Sequence, residues 1–285
     1  MDRATFLSGV TTLAAAHVLP KDAFAALEAH YGGRLGVAAI DSANGAHFGR
    51  RVTERFPMCS TFKLLVAAAV LSRVDAGREH LGRHIAYGKS DLLEYAPITR
   101  DNVHAGFLSV QALCAAAVEY SDNTAANLLL SALGGPASVT AYARSLGDTY
   151  TRLDRNEPSL NSAAPGDPRD TTTPAAMASD LQKLLTGNAL SPQSRHILAS
   201  WLTASKTGAG RIRAGMPNGW RVGDKTGTGS NASSNDVAVI YPPGRPPIFV
   251  AAYYTGSSAT GDKRDAVLAE VGRIVSSAYA SRQKR

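Results

Sequence analysis

Strand-like runs stand at the two ends of this chain, and helical ones fill its middle. Near the start, "FAALEAHYGGRLGVAAIDSANGAHFG" reads as a helix stopped by Gly32-Gly33, a strand, a turn at Asp41 to Gly45 and a second strand. Near the end, "WRVGDKTGTG", "NDVAVIYPPG" and "PPIFVAAYYT" are extended runs parted by Gly and Pro. The pattern of "KRDAVLAEVGRIVSSAYA" then returns to helical. Short apolar strands must bury themselves somewhere, and pairing both ends into one sheet is the economical solution. Between them lie "FKLLVAAAVLSRVDAG", "SVQALCAAAVEYS", "NTAANLLLSALGG", "PASVTAYARSLG", "PAAMASDLQKLLTG" and "SPQSRHILASWLTAS". These are helical in spacing, several with a Ser, Thr, Asn or Pro start and a Gly stop. The pattern predicts an all-α domain over 56–204, inserted into a discontinuous α/β domain made of 24–55 and 205–281. A cleft between two such lobes is a favoured place for a site.

Composition narrows the function classes. A 285-residue chain with 44% hydrophobic and 19% charged residues is globular, not disordered. The formal net charge is +7, yet Arg and Lys are scattered singly until Arg282-Gln283-Lys284-Arg285. That is a solvated basic surface, compatible with small anionic substrates, and no nucleic-acid motif accompanies it. Two cysteines, Cys59 and Cys114, make neither a metal set nor a disulfide framework. Seven dispersed histidines lack ligand spacing, so no metal or cofactor is expected. The start, "MDRATFLSGVTTLAAAHVLPKDAFA", has a basic residue, an apolar stretch from Phe6 to Leu19, and small residues at Ala23 and Ala25. It reads as an export segment over 1–23, which predicts a periplasmic or secreted protein. No other stretch is long and apolar enough to span a membrane.

Three short motifs carry candidate chemistry: Ser60-Thr61-Phe62-Lys63, Ser121-Asp122-Asn123 and Lys225-Thr226-Gly227. Each has decoys. Ser-x-x-Lys recurs at Ser281 to Lys284, Ser-x-Asn at Ser42, Ser159 and Ser233, and Lys-Thr-Gly at Lys206-Thr207-Gly208. Context separates them. Ser60 opens a helix, and positions i and i+3 share a face, so the Lys63 amine is expected beside the Ser60 hydroxyl. Phe62, Leu64 and Leu65 mark that helix as buried, where an unpartnered ammonium is costly. The copy at Ser281 sits in a polar terminus. Ser121-Asp122-Asn123 lies between two helical runs, as a loop presenting short polar groups or as the cap of a helix beginning near Thr124. Lys206-Thr207-Gly208 follows a helix and reads as helix-stop material. Lys225-Thr226-Gly227 lies in an extended run that can edge a cleft, with Gly227 letting a ligand approach closely.

Taken together with "CSTFK", "YSDNTAANLLL", "DRNEPSLN", "GDPRDTTTP" and "VGDKTGTG", the chain resembles the class A serine β-lactamases from about Phe24 to Ala278. The resemblance implies a two-lobed fold, an antiparallel sheet flanked by terminal helices with an inserted helical domain. It implies Ser60 as the nucleophile that opens a β-lactam ring, and Lys63 as acylation base, alone or with Glu157 acting through water. Ser121 would relay a proton to the departing nitrogen. Glu157 and Asn161 would position the hydrolytic water, with Arg155 and Asp170 pairing across the base of their loop. Asn123 would hold the substrate's side-chain amide, and Lys225, Thr226 and Thr228 its carboxylate. The backbone N–H groups of Ser60 and Thr228 would form the oxyanion hole. Tyr95 matches an aromatic at the cleft mouth. Arg211 matches one position of an Arg that reaches towards the carboxylate, and Ser234 holds the alternative position.

Two departures from the family stand out. Cys114 lacks a partner near Ala67, and Gly229 stands where some relatives bridge the cysteine beside the nucleophile. No disulfide is therefore expected, and strong carbapenem hydrolysis is not. The neighbouring readings are a D-Ala-D-Ala peptidase and a β-lactam sensor acylated once and held. Glu157 and Asn161 argue against the first, and the want of a membrane-spanning segment argues against the second. The expected partners are small β-lactams, with no nucleic acid or membrane, and the expected state is a monomer.

Overall fold

The computed structural model describes residues 20–280. Residues 1–19 of the expected export segment and the Ser281–Lys284 decoy lie outside them. In chain order the strands are β1 (Arg34–Asp41), β2 (His47–Arg50), β3 (Phe56–Pro57), β4 (His84–Ala86), β5 (Phe107–Ser109), β6 (Thr171–Thr172), β7 (Arg221–Gly229), β8 (Ser233–Tyr241) and β9 (Ile248–Thr255). The helices are α1 (Pro20–Tyr31), α2 (Phe62–Asp75), α3 (Pro97–Asp101), α4 (Val110–Glu119), α5 (Asn123–Leu133), α6 (Pro136–Ser145), α7 (Pro174–Thr186), α8 (Pro192–Thr203) and α9 (Gly261–Ala280).

Both chain ends do meet in one sheet, of order β2-β1-β9-β8-β7, with every neighbouring pair antiparallel. All eight residues of β9 are buried, because both faces of the sheet are covered. Side-chain alternation sends Leu35, Val37, Val250, Ala252 and Tyr254 to one face, against Phe24 of α1 and Val267, Val271 and Val275 of α9. Ala38, Ile40, Phe249, Ala251 and Tyr253 face the other way and join the apolar side chains of the middle helices. The helical insert and the sheet therefore share one core. Gly32 and Gly33 end α1 at φ +69° and +76°, in the left-handed region that glycine enters without a Cβ clash.

At the centre of the helical part runs α2, with Phe62 to Leu71 all buried. A helix apolar all round belongs inside a core. Each fully buried Leu or Phe on it stabilises the fold by about 1.5–3 kcal/mol. That packing makes the N-terminus of α2 a fixed platform, and it faces β7.

Candidate active site

Ser60 sits in a single 3-10 turn, Cys59–Thr61, that runs directly into α2. Cys59 holds a left-handed φ of +45°, a conformation a side chain enters only when its surroundings compel it. One turn on, Lys63 is fully buried. Its three donors meet three strong acceptors: Asn123 Oδ1 at 2.6 Å, the Ser121 carbonyl at 2.7 Å and Glu157 Oε1 at 3.0 Å. An ammonium has only three hydrogens to give. The Ser60 hydroxyl donates to the same carboxylate oxygen, Glu157 Oε1, at 3.0 Å. The helix spacing predicted amine beside hydroxyl, and the two converge on one carboxylate oxygen. Burial pushes the Lys63 amine below the ordinary lysine range, against the opposing pull of Glu157.

Ser121, also left-handed at φ +60°, ends the bend between α4 and α5. Its neighbour Asp122 caps α5, accepting from the Ala125 N–H at 2.8 Å, and also takes the Thr99 hydroxyl. The helix thus starts at Asn123, one residue before the expected Thr124. Ser121 Oγ lies 2.9 Å from Lys225 Nζ and 3.4 Å from Lys63 Nζ, so one hydroxyl spans two amines. Lys225 is fully buried on β7, and its amine is held well below the ordinary range by burial first and by the Lys63 charge second.

Glu157 arrives from the loop between residues 152 and 171. Asn161 Nδ2 donates to its Oε2, which leaves Asn161 Oδ1 buried without a hydrogen-bond partner. The loop is closed by Arg155 Nε on Asp170 Oδ2 at 2.6 Å. Asp170 Oδ1 also takes the backbone N–H groups of Asp154 and Arg155. Asn127, on α5, clamps the Glu157 backbone from both sides: its Oδ1 accepts from N at 3.0 Å and its Nδ2 donates to O at 2.9 Å. Sequence reading passed over Asn127, although it stands four residues after Asn123 on the same helix face in an otherwise apolar run.

A cavity of about 250 Å³ is lined by Ser60, Tyr95, Ser121, Asn123, Asn161, Thr226 and Thr228. Tyr95 is half exposed at its mouth, and its carbonyl accepts the Asn123 N–H at 3.0 Å. A larger cavity of about 360 Å³ lies behind the Glu157 loop, among Arg34, Arg55, Arg155 and Arg169. Of the expected site residues it touches only Arg155. Among the described residues, no cluster of His, Cys, Asp and Glu could hold a metal.

This arrangement couples a hydroxyl to a buried carboxylate, with two buried lysines and a second hydroxyl, that of Ser121, gathered behind the same cleft. Residues 19–279 match the Beta-lactamase enzyme family. The chain is 49% identical over 255 residues to β-lactamase CTX-M-8 of Citrobacter amalonaticus, spanning 90% of this chain and 87% of that protein. It is 49% identical to β-lactamase OXY-1 of Klebsiella oxytoca over 87% of this chain and 85% of that one. An ancestral (GNCA) class A β-lactamase superposes with a TM-score of 0.90 at 61% identity, over 91% of this chain and 100% of its own. The chain belongs to the class A β-lactamase family.

Some residues take a different part in this β-lactamase from the one sequence suggested. A Cβ on Gly227 would lie 2.7 Å from the Met58 carbonyl and 3.2 Å from Cys59 Cβ. Glycine there admits the turn that carries Ser60, rather than a ligand. Gly229 does the same for the Cys59 thiol, 2.7 Å from where its Cβ would be. Both cysteines are buried and free. Burial pushes the Cys59 thiol up to about 12. Arg211 is almost wholly buried, and its guanidinium holds the Gly227 and Asn235 carbonyls, Asp265 and, at 2.8 Å, Thr228 Oγ1. It reaches the cleft through Thr228. Ser234, opposite Thr228 in the β7–β8 register, accepts from Arg264 of α9 at 3.1 Å, a second guanidinium that sequence reading did not pick out. Among the described residues, no helix is long and apolar enough to cross a membrane.

Proposed function

We propose that this β-lactamase opens the ring amide of penicillins and cephalosporins through an ester on Ser60, which a water activated by Glu157 then hydrolyses. The observation that carries the reading is the convergence of Ser60 Oγ, Lys63 Nζ and Asn161 Nδ2 on the Glu157 carboxylate. Substrate binds with its carboxylate against Lys225, Thr226 and Thr228, where Arg211 orients the Thr228 hydroxyl. Because the Asn123 carbonyl oxygen is occupied by Lys63, its amide N–H group is the free end, suited to donate to the substrate's side-chain carbonyl. Tyr95 walls the mouth.

In acylation the Ser60 proton passes to the Glu157–Lys63 pair as Oγ bonds to the carbonyl carbon. Backbone N–H groups of Ser60 and Thr228 hold the developing oxyanion; one such donor contributes about 100-fold to 1,000-fold in rate. The ring C–N bond breaks as Ser121 gives its proton to the leaving nitrogen and is resupplied from Lys63. In deacylation Glu157 takes a proton from water, the hydroxide adds to the ester carbon, and Ser60 leaves with a proton. Arg155, Asp170 and Asn127 keep the carboxylate within the small tolerance this attack allows. A peptidase or a sensor needs no carboxylate placed on the nucleophile, which favours hydrolysis over both. The same reading makes 24–55 with 205–281 one lobe and 56–204 the other, in a monomer acting in the periplasm or outside the cell.

Glu157→Gln keeps the shape and removes the base. Intact mass spectrometry after exposure to a penicillin is expected to find the enzyme carrying the added substrate mass. An unmodified Glu157→Gln protein would overturn the deacylation role.

A further inference from the structure

Outside the residues that line the cleft, α7 buries Asp180 completely, and neither of its carboxylate oxygens has a hydrogen-bond donor. Asp148, in the segment after α6, is likewise buried; its Oδ1 accepts the backbone N–H groups of Tyr150 at 2.7 Å and Thr151 at 3.0 Å, while Oδ2 has no donor. Two ionised carboxylates offer acceptors only, and two bare charges in such a place cost several kcal/mol each. One proton between them resolves both difficulties.

The neck of the Glu157 loop rests on the Asp148 side of this pair. Asp148 Oδ1 pins the N–H groups of Tyr150 and Thr151, and Arg144 gathers the carbonyls of Asp148 and Thr151 at 2.6 and 2.7 Å. Thr151 Oγ1 meets Thr172 Oγ1 at 2.6 Å, and Arg152 N–H donates to the Thr171 carbonyl. Both ends of the 152–171 segment are thereby tied to Asp148.

We infer that Asp148 and Asp180 share one proton, and that this proton holds the loop neck so that Asp180 is a positioning residue for deacylation. The kinetic half of the inference rests on the reading of Glu157 given above; the proton itself does not. Burial, then the Asp148 charge and its hydrogen bond, push the Asp180 carboxyl up to about 9. Lys183 and Arg144 oppose this but spend donors on carbonyls, Lys183 on that of Leu146 at 2.5 Å. The other titratable groups facing the pair are Tyr142 and Tyr253, with Asp75 acting on Tyr142. An unfolded aspartate titrates near about 4. The folded chain therefore holds this proton more tightly, and the stability it contributes is complete below about pH 4 and is lost as the pH rises towards about 9.

Asp180→Asn mimics the protonated acid. Urea unfolding of the full chain from about pH 5 to about pH 8.5 is expected to show wild type losing stability against the variant with a slope of about one proton. In single-turnover acyl-enzyme decay, wild type is expected to slow by about tenfold one pH unit above its midpoint near about 9. Asp180→Asn should lack that limb and keep only the one set by the active-site lysines. Parallel stability profiles would overturn the shared proton. A changed stability slope with identical decay profiles would overturn the positioning role. Persistence of the limb in Glu157→Gln decay would place the fault in the reading of Glu157 instead. Should Asp180→Asn fail to fold, Asp148→Asn keeps an amide oxygen for the Tyr150 and Thr151 N–H groups, removes the neighbouring charge and is expected to lower the midpoint of both profiles; an unmoved midpoint would overturn the sharing.

Discussion

The same three residues occur twice, nineteen positions apart, and the fold gives them opposite surroundings. Lys225 is sealed inside, its amine on Ser121 and the Thr226 carbonyl; Lys206 points into solvent, and only its backbone N–H is fixed, on the Glu119 carbonyl. The copies also touch. Thr207 Oγ1 lies 2.6 Å from Thr226 Oγ1, and Gly208 packs directly against the Asp224 carboxylate that precedes Lys225. Asp224 is in turn held by Arg213 and by Ser205 at 3.1 Å. The first copy is the back wall of the second. A tripeptide thus has no chemistry of its own: the lysine matters where burial lowers its pKa and aims it, and the glycine matters where a carboxylate leaves no room for a methyl.

That contrast can be tested directly. Lys225→Ala removes a buried amine from behind the cleft and is expected to lower kcat/KM by about 100-fold or more, measured with a chromogenic cephalosporin. Gly208→Ala drives a methyl into the Asp224 carboxylate and is expected to cost about 2 kcal/mol in urea unfolding, with activity falling as Asp224 shifts Lys225. Lys206→Ala trims an exposed side chain and should leave kcat/KM within about twofold of wild type. Equal losses at Lys206 and Lys225 would erase the distinction between the copies. A Gly208→Ala protein as stable as wild type would mean that the first copy is not a wall at all.

Sequence made legible what backbone spacing dictates. Period-2 and helical runs marked the sheet and the middle helices, and the i, i+3 pair placed Ser60 and Lys63 on one turn. Contacts that only folding creates stayed hidden. Ser60 and Glu157 are 97 residues apart, and no local rule says that the hydroxyl will choose the carboxylate over the neighbouring amine. Asn127 looks like an ordinary helix residue until a loop thirty positions away rests on it. Gly227 reads as room for a ligand because the Ser60 turn that fills that room comes from elsewhere in the chain. The Asp148–Asp180 pair has no signature in sequence, since an aspartate on a helix is normally a surface charge.

The central proposal is release: Glu157 is proposed to make the serine ester transient. Stopped-flow absorbance with a chromogenic cephalosporin in large excess over enzyme tests it most directly. Continuous turnover through many enzyme equivalents is the expected result. A single stoichiometric burst followed by a flat trace would contradict it, leaving a protein that is acylated and held.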